Sequence, residues 1–138
     1  MIKMAYHIAW GAAETLEPDT IDGHKSFHGK AYTRQGSALT PECEYVTVRE
    51  LYSYGTKVAA IYMHPYSGPL VVIGRPYLFS ATTSRHFRTF TRMNADGIAY
   101  GIKDVRKAWE GDDDTLGGGL IDADTWNGVY AADCGYRF

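Results

Sequence analysis

Apolar and polar positions alternate along SFHGKAYTR: Phe27, Gly29, Ala31 and Thr33 fall on one side, and His28, Lys30, Tyr32 and Arg34 on the other. That two-residue period predicts a strand. The next residues, QGSALTPE, carry the turn chemistry of Gly36, Ser37 and Pro41. Alternation resumes in EYVTVRELYSY, where Val46, Val48 and Glu50 share one face and Tyr45, Thr47, Arg49 and Leu51 the other. A turn at Tyr54-Gly55-Thr56 leads into KVAAIYM, so three strands form a predicted meander. Beyond HPYSGP, LVVIG and RPYLFS read as one or two more strands, and Pro69 and Pro76 put them at an edge or a bulge. Upstream, Met4 to Trp10 is a short apolar segment, either an edge strand or part of a loosely attached arm over residues 1–22.

The period changes at SATTSRHFRTFTRM. At about 100° per residue, Arg85, Arg88 and Arg92 fall in one narrow stripe, with Thr83, Phe87 and Phe90 on the opposite side. The pattern predicts an amphipathic helix from Thr82 to Met93. Ser80 or Thr82 caps it, and Asn94-Ala95-Asp96-Gly97 stops it. Ile102, Val105 and Trp109 recur at helical spacing and predict a shorter helix from Lys103 to Trp109. The stretch GDDDTLGGGLIDADTW is rich in Gly and Asp and reads as a loop. The expected fold is a single α+β domain over residues 1–138. Its antiparallel sheet of four or five strands carries one long amphipathic helix and one shorter helix.

Length and composition fit that picture. A chain of 138 residues has room for one core, and 45% hydrophobic with 22% charged residues is globular usage. No apolar run approaches the ~20 residues of a membrane span. The apolar start is interrupted by His7 and does not read as a signal peptide. A cytoplasmic protein with no membrane partner is expected. Cys43 and Cys134 lack a CxxC context, so two free thiols are expected, with one disulfide as the alternative. Charge changes the picture more. Residues 23–107 hold 12 Lys+Arg against 5 Asp+Glu, a net +7, whereas residues 1–22 carry −3 and residues 108–138 carry −6. A basic centre between acidic ends suits a polyanion or an acidic protein, or an acidic tail that neutralises its own body.

SFHGKA, LYSYGTKVAAI and SATTSRHFRTF occur in this order. Together they resemble a group of small proteins encoded by bacteriophages and related mobile elements. In that group an S-F-x-G-K-A strand precedes L-x-S-Y-x-T-x-V-A-x-I and an S-x-T-T-x-R-H-x-x-x-F helix start. The match spans roughly residues 25–90. It implies a provenance and a shared small domain, and it carries over no catalytic residue. A bacterial host then supplies the cytoplasm in which the protein acts.

Five features bear on chemistry. The stripe Arg85, Arg88 and Arg92 presents forked guanidiniums suited to phosphates, or is a solvated helix face. The cluster Ser80, Thr82, Thr83 and Ser84 stands at a helix start and is read as capping before anion binding. His86 lies between the phenylalanine side and the arginine stripe, as a structural histidine or an acid/base. His24 and His28 are four apart but lack a further ligand, so no metal is expected. The acidic tail provides the leading reading. Asp112, Asp113, Asp114, Asp122 and Asp124 steer a basic partner, and Trp126, Tyr130 and Tyr136 serve as aromatic anchors. The expected function is a non-enzymatic phage or mobile-element accessory protein that binds a host macromolecule, a protein or protein complex first, and inhibits a defence or regulatory complex. It needs no catalytic residue and no cofactor. The alternative is a nucleic-acid-binding module using Arg85, Arg88 and Arg92.

Overall fold

The hairpin between β4 (Tyr45–Ser53) and β5 (Thr56–His64) organises the sheet. Its two-residue turn holds Tyr54 at φ 52° and Gly55 at φ 80°, the paired positive dihedrals that match the twist of antiparallel strands. β3 (Ala31–Leu39) pairs along the whole of β4, from Ala31 opposite Ser53 to Leu39 opposite Tyr45. β6 (Gly68–Ile73) pairs antiparallel with the other side of β5. The computed structural model describes residues 7–19, 26–64, 68–111 and 119–138.

Short strands complete both edges. β1 (Ile8–Trp10) and β2 (Glu14–Thr15) lie one after the other along the outer edge of β3, both antiparallel to it. Gly36 permits that approach, since a Cβ there would stand 2.7 Å from the Trp10 ring. After β6 the chain crosses over through α1 (Ala81–Asn94) and α2 (Ile102–Glu110) and returns as β7 (Leu120–Asp122), parallel to β6. A C-terminal helical stretch follows: α3 (Ala123–Thr125), a π-helical turn (Trp126–Tyr130) and α4 (Ala131–Cys134).

The expected fold is corrected here. The sheet has seven strands, not four or five, and is mixed, not antiparallel. The helices are short, of 14 and nine residues, and the C-terminal stretch adds a third helical element. β1, β2 and β7 contain two or three residues each, too few for a two-residue period to show. The supposed turn QGSALTPE also proves to be the second half of β3, and the turn falls at residues 40–44. RPYLFS forms a 3₁₀ turn, Pro76–Leu78, instead of a strand.

Both faces of the sheet are buried. On the front, Leu51, Ala59, Ile61, Val71 and Ile73 lie under Phe87 and Phe90 of α1 and Val105 of α2. Both phenylalanines have no exposed surface, which bears out the apolar side of the α1 wheel. On the back, Val46, Val48, Ala60, Tyr62 and Val72 lie under Trp126, Ala131 and Tyr136. A double-sided core explains why the central strands carry near-continuous apolar runs such as VAAIY. Among the described residues no helix is long and apolar enough to cross a membrane.

Candidate functional site

Two tight turns meet the start of α1 at one end of the front face. In the first, Lys30 N–H donates to the Phe27 carbonyl at 3.0 Å, with His28 at φ 55° and Gly29 at φ 69°. The second is the Tyr54-Gly55 turn, and Tyr54 N–H donates to the Lys30 carbonyl at 2.8 Å, fastening the two together. Each turn thus holds a ring-bearing residue, His28 or Tyr54, in the left-handed region that such residues seldom occupy. Ser80 caps α1 by accepting from Thr83 N–H at 3.1 Å, which sets the first turns of the helix against both loops. The three stretches SFHGKA, LYSYGTKVAAI and SATTSRHFRTF, separate in the sequence, all contribute here.

Between them lies a cleft of about 380 Å³. Phe27 and His86, both buried, form its inner part; Tyr54, Lys30 and Arg85 stand toward solvent. Behind it runs a buried polar chain: the Ser53 hydroxyl is 2.8 Å from His86 Nδ1 and 2.8 Å from the Thr83 hydroxyl. The His86 ring packs edge-on against Phe27 at 4.6 Å and lies 5.9 Å from the Tyr54 ring. None of the described lining residues is acidic. Among the described residues, neither Lys30 nor Arg85 forms an ion pair. Two cations therefore border the cleft with no described carboxylate neutralising them.

The arginine stripe is divided. Arg88 is exposed and Arg85 is half-buried beside the cleft. Arg92 is held by Asp19 through two hydrogen bonds of 2.6 and 2.8 Å and is 14% exposed. The expected uniform stripe is corrected accordingly, because the N-terminal segment covers its last member.

The acidic tail is also placed differently from a free interface. Asp112, Asp113 and Asp114 lie outside the described residues, as does His24. Asp122 caps α3, accepting from Thr125 N–H at 2.8 Å and from the Thr125 hydroxyl at 2.7 Å. Asp124 pairs with Arg75 at 2.8 Å on the surface. Trp126 and Tyr136 are buried in the back core, so they do not present the exposed aromatic anchors expected of them. Tyr130 alone of the three is exposed, at 43%, with its ring stacked on Trp126 at 5.9 Å. Cys43 and Cys134 are free thiols.

A second polar constellation lies on the back face. Glu50 is 1% exposed, and its carboxylate accepts from Arg34 Nε at 2.6 Å, the Tyr52 hydroxyl at 2.9 Å, Lys57 Nζ at 3.3 Å and the Tyr136 hydroxyl. Burial alone would raise the Glu50 carboxyl. The hydrogen bonds from Tyr136 and Arg34, the Lys57 charge and the Tyr52 hydroxyl outweigh it and hold the group below the usual carboxylate range. Burial first, and then the Glu50 bond and charge, push Tyr52 up to about 12. Burial and the same carboxylate raise Tyr136 as well. Arg34 lies over the Trp10 ring at 3.8 Å, and Lys57 over the Phe138 ring at 4.6 Å. Four donors on one carboxylate leave it fully satisfied. Its sequence signal was Glu50 itself, a carboxylate in step with Val46 and Val48.

Comparison of the chain with family models, with curated proteins and with solved structures yields no match.

Proposed function

We propose that this protein is a non-enzymatic accessory protein of a bacteriophage or mobile element that binds host nucleic acid through the Lys30–Arg85 cleft. One observation carries the reading: two cationic side chains flank a cleft that, among the described residues, has no acidic lining residue and no ion pair to either cation. Arg88 extends the positive surface along the exposed side of α1. The absence of catalysis in this reading is supported by Ser53. Its hydroxyl touches His86, as a nucleophile would touch its base. Yet Ser53 is 3% exposed and shares that oxygen with Thr83, so it is not presented to a substrate.

The test is titration of labelled nucleic acid with the full chain at several salt concentrations. Affinity should fall steeply as salt rises, because each neutralised phosphate releases counterions. Replacing Lys30, Arg85 and Arg88 together by Ala should weaken binding and flatten the salt slope by about one for each phosphate no longer neutralised. No binding to any strand at low salt would remove this reading. A protein partner is the second reading, favoured by exposed Val129 and Tyr130 beside the acidic Asp133. A host protein that is captured despite nuclease treatment, and lost in Tyr130→Ala, would favour it.

A further inference from the structure

We propose that the cleft receives a base together with its phosphate, so that the ligand is a single strand and not a duplex. This rests on the nucleic-acid reading above and narrows it. Tyr54 is the residue that points to a base. It occupies the first central position of a two-residue hairpin turn at φ 52°, where Asn or Gly is the unstrained choice. A bulky residue there carries backbone strain that Asn or Gly would avoid. Tyr54 is 57% exposed and lines the cleft, so core packing does not account for it. An aromatic ring held toward solvent beside cations that pair with no described carboxylate is the arrangement that stacks an unstacked base while the cations take its phosphate.

Three further features favour the single strand. A base inside a duplex is covered on both faces and cannot reach Tyr54 without being extruded. The cleft, at about 380 Å³, has the size of pockets that take small ligands, roughly 300–1,000 Å³. The withdrawal of Arg92 by Asp19 leaves only Arg85 and Arg88 of the α1 stripe for phosphates. That is too short a row to follow a duplex backbone. It is long enough to continue a strand whose base is seated in the cleft.

The experiment uses the full chain and fluorescence anisotropy with four probes: labelled single strands of about ten nucleotides, one DNA and one RNA, the matching DNA duplex, and labelled heparin as a polyanion without bases. One of the single strands should bind at least about tenfold more tightly than the duplex. Tyr54→Asn removes the ring and suits the turn better, so its melting temperature should be equal or higher. It should lose about tenfold in affinity for the single strand, the scale of one stacked base, and bind heparin as before. Tyr54→Phe should restore the wild-type affinity. If duplex or heparin binds as well as the single strand, or Tyr54→Asn binds the strand unchanged, the base-stacking proposal falls while the nucleic-acid or polyanion reading stands. If none of the probes binds at low salt, both fall.

Discussion

The two faces of the sheet each bury a polar constellation beside the same hairpin, and they do so in opposite ways. On the back, Glu50 is a charge sealed from water and answered by Arg34, Lys57, Tyr52 and Tyr136. On the front, three residues further on, Ser53 joins His86 and Thr83 in a chain of hydroxyls and imidazole that lies directly behind a cleft. The back cations are committed to a carboxylate of their own chain. The front cations, Lys30 and Arg85, have no such commitment among the described residues. A buried network whose bonds are all internal serves to fix the fold, whereas cations uncommitted at an opening are available to an anionic partner.

The largest effect tests whether the back face is part of the domain at all. Ending the chain after Glu110 removes β7, Trp126 and Tyr136 and uncovers Val46, Val48, Ala60 and Tyr62. The truncated protein should show no cooperative thermal transition. A sharp transition near the full-length value would mean that the back layer is dispensable. Single core changes should weigh equally on the two faces. Phe90→Ala on the front and Trp126→Ala on the back should each cost roughly 3–5 kcal/mol in urea unfolding, since both side chains are fully buried.

Glu50→Gln separates the constellations more finely. It should cost about 2–3 kcal/mol, less than a fully buried broken pair, because Arg34 and Lys57 retain 33% and 24% side-chain exposure and reach water. The folded carboxyl sits below its unfolded reference of 4.5. Its stabilisation is therefore complete above that reference and is lost as pH falls through the folded value. Urea midpoints of wild type and Glu50→Gln should thus differ most at neutral pH and converge in acid; a difference that grows on acidification would contradict the ionised network. Ser53→Ala, the smallest of these effects, should cost about 1–2 kcal/mol for the missing bonds to His86 and Thr83. It should not acquire the acid dependence of the back face, and a steep one would show that the front chain is ionic after all.

Much of the centre is legible in the sequence. Alternation in EYVTVREL and the helical period of SRHFRTF depend on local sequence, and β4 and α1 lie where those patterns fall. What is illegible depends on partners distant in the chain. β7 is three residues in a Gly- and Asp-rich stretch, made a strand only by pairing with Val71–Ile73 some fifty residues earlier. Gly36 signals a turn in isolation and becomes a strand residue because β1 needs to come close. The candidate site behaves similarly. Arg85 and His86 stand out singly, but their meeting with Lys30 and Tyr54 follows from two loops being fastened together by one backbone hydrogen bond. Trp126 and Tyr136 read as surface because acidic residues surround them; an aromatic residue in acidic company can still face inward.

The bond between Tyr136 and Glu50 joins positions 86 residues apart, and this separation has a consequence for how the chain is made. β3 to β6 pair with near neighbours and can assemble as soon as they are synthesised. The back of that sheet, with a carboxylate amid valines, has nothing to cover it until Trp126 and Tyr136 have emerged. Until then the nascent sheet has a bare, charge-bearing back. Pairings of such long range slow folding, and exposed apolar surface at that stage invites association between growing chains. Full-length chains tethered to the ribosome by a linker too short for Trp126 and Tyr136 to leave the exit tunnel should therefore be far more open to protease than the released protein, and the last two dozen residues decide when that vulnerability ends.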